Sequence, residues 1–243
     1  MAKSIFAERM DEVQSLLWPK LKAAGFCKRG RTFNRSEEDG IVQVINLQMW
    51  PSPIGQPSAL DNAMYGTFAV NLGVYISEVY AAKYPKIRAF PIDADCAIRT
   101  RLDRLIGESD FAWSLKDKFA GLMKPKVDAL AASVWEAMER EGFPFLERYS
   151  TRAKIIDDWI GEPGCPGYSG IARVDVAIMK TAAGDMAAAA QLLDEHIGKV
   201  DPARPNGRFH VAYVRELAER LGLRKLAAWP PEGCLVGRVA HAE

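Results

Sequence analysis

Apolar residues recur at helical spacing through the first two dozen positions: Ile5, Phe6, Met10, Val13, Leu17, Leu21 and Ala24. Pro19 lies inside that pattern, so it either kinks one helix or opens a second short one at its first turn. Gly25 supplies the stop. The period then falls to two. Residues 31–36 (RTFNRS) predict a short strand, Glu37-Glu38-Asp39-Gly40 a turn, and 41–50 (IVQVINLQMW) a second strand, which together make a hairpin. Pro51, Pro53, Gly55 and Pro57 predict a long loop to about Tyr65. In 66–76, Phe68, Val70, Leu72, Val74 and Ile76 point one way, and Thr67, Ala69, Asn71, Gly73 and Tyr75 the other. In 96–102, Cys96, Ile98, Thr100 and Leu102 oppose Ala97, Arg99 and Arg101.

Helical spacing returns with Leu122, Met123, Val127, Leu130, Val134 and Met138, and predicts a helix ending near Gly142. Another is expected over 145–160. The stretch 161–170 (GEPGCPGYSG) reads as a linker. Three helices follow at 171–183, 185–198 and 207–222, the first two meeting at a Gly184-Asp185 turn. An irregular tail begins at Leu223. The expected class is α+β: an antiparallel sheet of about four strands flanked by helices in a domain over 1–160, then a helical segment over 171–243.

The polar side of that sheet is the candidate site. Asn46 and Gln48 share one face of their strand, as do Asn71 and Tyr75, and Arg99 and Arg101, on theirs. If those faces coincide, amides, a phenol and two guanidiniums converge, with Arg31 and Arg35 on the neighbouring arm as an extension. Guanidinium forks grip carboxylate or phosphate, and amides fix orientation. The competing explanation is ordinary: antiparallel sheets commonly keep one wet face. Asparagine in mid-strand, in VINLQ and VNLG, is uncommon enough to suggest a purpose, cross-strand hydrogen bonding included. Trp50 and the proline-rich loop after it form a second candidate edge.

Composition narrows the chemistry. The chain has 243 residues, with 49% hydrophobic and 26% charged, as in ordinary globular proteins. Lys plus Arg is 32 against 31 Asp plus Glu, a net charge of +1, so general DNA binding is not expected. No apolar stretch reaches the length of a membrane span, and Glu8, Asp11 and Glu12 interrupt any signal-peptide core, which makes the cytoplasm the expected compartment. Cys27, Cys96, Cys165 and Cys234 stand 69 residues apart, but their flanks share nothing, so they read as reduced thiols rather than a repeat. The histidines are His196, His210 and His241; with no HExxH, CxxC, P-loop or nucleophile elbow, neither a metal nor a cofactor is expected. Asp93-Ala94-Asp95 reads as a solvated turn.

The runs GFCKRGRTFNR (25–35), VINLQ (44–48), FAVNLG (68–73) and CAIRTRL (96–102), with Trp113 behind them, resemble a bacterial family of domains of unknown function numbered 4304. The resemblance covers roughly residues 5–150 and brings no catalytic residues with it. More weakly, VDVAIMKTAAGDMAAAAQLLDEHI (174–197) resembles one tetratricopeptide helical hairpin, although such repeats need about three copies for a core. Two functions are expected from all this. One is a non-catalytic protein-binding module, toxin neutralisation being its specific form by analogy. The other is an enzyme or receptor for a phosphate-bearing small molecule or nucleic acid at Arg99 and Arg101, with Asp103, Glu108 or Asp110 as acid–base groups.

Overall fold

The structure is a computed structural model that describes residues 4–37, 40–53, 55–56, 58–116, 126–161, 172–201, 204 and 206–223. The chain forms two compact units. One comprises Met1–Tyr80 with Ile87–Ile155, the other Ala81–Lys86 with Ile156–Glu243.

In the first unit, α1 (Ile5–Ala23) starts at Ser4, whose side chain accepts the Ala7 N–H at 3.2 Å. It runs unbroken through an exposed Pro19. Among the described residues six antiparallel strands follow: β1 (Cys27–Arg29), β2 (Thr32–Ser36), β3 (Ile41–Met49), β4 (Thr67–Ile76), β5 (Ile98–Arg101) and β6 (Trp113–Ser114). Their order is β1-β2-β3-β4-β5, with β6 paired to the start of β4. The class is the expected α+β. The expected sheet of about four strands gains the short β1 and β6, each too brief to show a period.

Directly paired residues share a face, and the register carries the predicted parity from strand to strand. One face is apolar: Phe33, Ile41, Ile45, Leu47, Phe68, Val70, Leu72, Val74 and Ile76 are all at most 2% exposed. Trp18 of α1 stacks on Phe33 with ring centroids 6.1 Å apart. Gln43, buried on the same face, donates through Nε2 to the Leu146 carbonyl at 3.0 Å. These contacts set α1 and α6 (Phe143–Arg148) over the apolar face. Between α5 (Val127–Ala137) and α6 the chain widens into a π-turn, Met138–Gly142, in which Phe143 N–H reaches the Met138 carbonyl five residues back. Pro144 explains the widening: it has no N–H to give to Arg140, and its ring crowds that carbonyl in a regular helix. The helix expected to stop near Gly142 therefore continues, and the one expected over 145–160 breaks after Arg148 and resumes as α7 (Arg152–Gly161).

Three further short helices fall where none was expected: α2 (Ala59–Met64), α3 (Ser77–Lys83) and α4 (Leu102–Leu105). In α2, Ser58 and Asp61 cap each other reciprocally. Leu102, expected at the end of a strand, opens α4 instead.

In the second unit, α8 (Ala172–Ala182) and α9 (Met186–Gly198) form a helical hairpin with Gly184 at φ +83° and Asp185 as N-cap, accepting the Ala188 N–H. α10 (Gly207–Arg220) follows. Val174, Val176, Ile178, Leu193, Ile197, Val211, Val214 and Leu217 are buried. Lys83 Nζ lies 2.9 Å from the buried Asp175 carboxylate. Among the described residues no helix is long and apolar enough to cross a membrane. Residues 162–170 of the linker expected over 161–170, Cys165, Cys234, Leu122, Met123, Trp229, His241 and the tail beyond Leu223 lie outside the described residues.

Candidate functional site

The polar residues on the second face of the sheet do converge. Thr32, Asn46, Asn71 and Arg101 form one cross-strand row, and Asn34, Val44, Gly73 and Arg99 the row beside it. Gln48 and Tyr75 lie on the same face at opposite ends of the β3–β4 ladder. Arg31 and Arg35 do not join them, which corrects the expected extension of the patch. Arg31 lies in the β1–β2 turn, where its Nη2 meets Asp11 of α1 at 3.2 Å and its Nη1 meets Met49 Sδ. Arg35 sits on the apolar face, giving Nε and Nη2 to Gln43 Oε1 and Nη1 to the Ala24 carbonyl.

The polar face carries a strap, the segment Ile87–Cys96, which contains a single 3-10 turn at Asp93–Asp95. Polar side chains of the face, with Tyr80 from the α3 helix, hold it down. Tyr75 Oη accepts the Arg88 backbone N–H at 3.1 Å, and Tyr80 Oη accepts Arg88 Nε at 3.0 Å. Asn34 Nδ2 donates to the Pro91 carbonyl at 3.0 Å, and Asn71 Nδ2 to Asp93 Oδ2 at 3.2 Å. Within the strap, Asp95 accepts the Ile92 N–H at 3.1 Å. Beneath it, Val44, Tyr75, Tyr80 and Cys96 form a small buried apolar cluster. Gly73 makes the close approach fit: a Cβ there would lie 2.6 Å from Cys96 Sγ. Burial pushes the Cys96 thiol well above its ordinary range and raises the Tyr75 phenol, so neither ionises near neutrality.

The rest of the face is committed in part. Asn71, 5% exposed, also donates to Gln48 Oε1 at 2.7 Å and accepts Arg101 Nε at 3.3 Å; Asn46 Nδ2 donates to Thr32 Oγ1 at 2.9 Å. Arg101 Nη1 lies 2.5 Å from Asp110, which also takes Arg104 at 2.7 and 2.8 Å. The Arg104 hydrogen bonds, with Arg101 behind them, hold the Asp110 carboxyl below its usual range. The Arg101 guanidinium lies over the Phe111 ring at 4.8 Å, and Trp50 meets Phe111 edge-on at 5.1 Å, so Trp50 packs within the fold on this side. Arg99, Gln48 and Glu108 are exposed. Asp103 has no exposed surface: Oδ2 accepts the Phe111 N–H at 2.8 Å, Oδ1 has no hydrogen-bond partner among the described residues, and burial raises its pKa.

Residues 17–148 match a family model described as Domain of unknown function (DUF4304). The chain belongs to that family. The DUF4304 match runs from within α1 to the end of α6 and so holds the whole sheet and the strap, while α8, α9 and α10 fall outside it. No curated protein and no solved structure matches the chain.

Among the described residues of this DUF4304 protein, no group of three or more His, Cys, Asp or Glu side chains is placed to hold a metal ion. Part of the polar face positions a loop: Asn34, Asn71 and Tyr75 hold the strap. The strap in turn holds Ile87 and Ile92 in water, at 66% and 45% exposure, with Arg88 between them. Neither isoleucine emerged from the sequence, because a loop has no period to test. The available signal was the run IRAFPID, apolar and basic between two sheet strands.

Proposed function

We propose that this chain is a non-catalytic, cytoplasmic protein-binding module, and that its partner docks on the outer side of the strap. The observation that carries the reading is the exposure of Ile87 and Ile92 on a segment fixed by hydrogen bonds to Tyr75, Tyr80, Asn34 and Asn71. Apolar side chains held still in water lose little conformational freedom on docking, and each buried isoleucine contributes about 1.5–3 kcal/mol of hydrophobic free energy. Arg99, exposed nearby on β5, selects a carboxylate at the rim of the partner's apolar patch. The specific form of this reading is a bacterial toxin-neutralising protein, whose partner is a toxin encoded by an adjacent gene; it rests on analogy with small α+β domains that block other proteins.

The test is co-purification of the full chain with the product of the neighbouring gene, beside Ile87→Asp, Ile92→Asp and Arg99→Glu variants of unchanged melting temperature. Recovery by the wild type and loss with the isoleucine variants supports the reading; equal recovery by all of them overturns it. The alternative, a receptor for a phosphate-bearing ligand at Arg99 and Arg101, has less support because Arg101 is already paired with Asp110.

A further inference from the structure

We infer that His196 and His210 form an acid-sensitive latch between α9 and α10, closed at neutral pH and released by mild acid. The two residues lie on different helices of the second unit, and their Nε2 atoms are 2.7 Å apart. The rings meet edge to face, 69° apart in plane, with centroids at 5.0 Å. A gap of that size holds one hydrogen. One imidazole therefore donates and the other accepts, and the accepting ring is neutral. A first proton leaves one imidazolium donating to the neutral ring; a second puts two hydrogens and two positive rings into the same gap, and the bond between the helices is lost.

The surroundings do nothing to stabilise that second proton. The charged groups acting on His196 are His210 from α10, Arg173 from α8 and Lys199 just beyond its own helix, and no carboxylate counters them among the described residues. The position of His196 near the C-terminus of α9 favours a cation there. Burial outweighs it and, with His210, Arg173 and Lys199, holds His196 down at about 4.

The sign follows. In the unfolded chain an imidazole takes its proton near 6.5, and in the folded one His196 takes it near 4. The latch is complete above pH 6.5 and is lost as pH falls from 6.5 through 4. A shared metal ion is the other arrangement two facing imidazoles can adopt, but nitrogens bound to one ion at about 2.0–2.1 Å each stand roughly 3 Å or more apart. The cations Arg173 and Lys199 beside His196 also disfavour it.

The test is ring-proton NMR of the full chain from pH 7.5 to 4, with amide exchange of the α10 segment at pH 7 and pH 5, corrected for the intrinsic rate. His196 should stay neutral to well below pH 6, and α10 should exchange about tenfold faster at pH 5 than at pH 7. His210→Gln keeps a hydrogen-bonding group that does not titrate, and should shrink that difference; His210→Phe serves the same purpose if the amide does not fold. Titration of His196 near 6.5 in the folded chain overturns the proposal. So does an unchanged pH response in the variant, or a stoichiometric shift of both rings on adding zinc.

Discussion

Asp103 is a carboxylate with no exposed surface, one oxygen on the Phe111 N–H and the other without a hydrogen-bond partner among the described residues. Burial raises its pKa, so its charged form opposes folding, and the native state loses stability as pH rises through that raised value. Asp103→Asn keeps an acceptor for Phe111 and removes the charge. Urea unfolding at pH 7 should show the variant more stable by about 1 kcal/mol, a gain that disappears below the unfolded carboxyl pKa. Asp103→Leu, which strands the Phe111 N–H, should instead cost about 1–3 kcal/mol. Phe111 raises the stakes, since it holds φ at +63°, a conformation side chains rarely adopt, and that backbone leans on this hydrogen bond. None of this was legible in the sequence, where Asp103 follows a strand like any polar residue. Gly73 was no clearer. Alternation assigned its face, but not the Cys96 sulfur that a Cβ would meet at 2.6 Å. Gly73→Ala should destabilise by about 1–3 kcal/mol in the same assay, because both the sheet and the strap are packed there.

The strands are the elements that alternation predicts well, for a physical reason. A strand has one structural variable, the face, and antiparallel pairing preserves it across neighbours, so Asn46, Asn71 and Arg101 fell into one row as their parity requires. The strap is invisible to the same logic. Its anchors sit at Asn34, Tyr75 and Tyr80, up to 57 positions away, and no local pattern marks a phenol as the acceptor for a distant amide. Tyr75→Phe isolates the effect: it removes the acceptor of the Arg88 N–H and leaves the ring in its buried cluster. We expect a loss of about 1 kcal/mol and faster amide exchange confined to the strap, read by hydrogen exchange resolved to that segment. An equal increase across β3 and β4 would mean that Tyr75 supports the sheet rather than the strap. The π-turn has the same lesson in a helix. Helical spacing was correct through Val134 and Met138, and the later Pro144 decided how the turn between them and α6 is wound.

For the molecule as a whole, the near balance of 32 basic against 31 acidic side chains is repeated in local pairs. Asp110 takes Arg101 and Arg104, Glu78 takes Arg152 at 2.6 and 2.8 Å, Asp11 takes Arg31, and Asp175 takes Lys83. The exposed pairs among these add little stability, but all of them occupy cations that a polyanion would otherwise meet. Affinity for duplex DNA comes from releasing condensed counterions, one for each phosphate a free Lys or Arg neutralises, and a surface whose arginines already face carboxylates releases few. Fluorescence anisotropy with a twenty-base-pair duplex should therefore give a dissociation constant weaker than about 100 μM at 150 mM salt, and a shallow dependence on salt below that. Asp110→Asn makes the argument specific. It raises the net charge from +1 to +2 and frees Arg101 and Arg104 beside the exposed Arg99. At 50 mM salt that variant should bind the duplex a few-fold more tightly than the wild type, with a steeper salt slope. If the wild type already binds in the micromolar range at 150 mM salt, its cations are not held as these pairs hold them, and the strapped face would have to be reconsidered as a nucleic-acid surface.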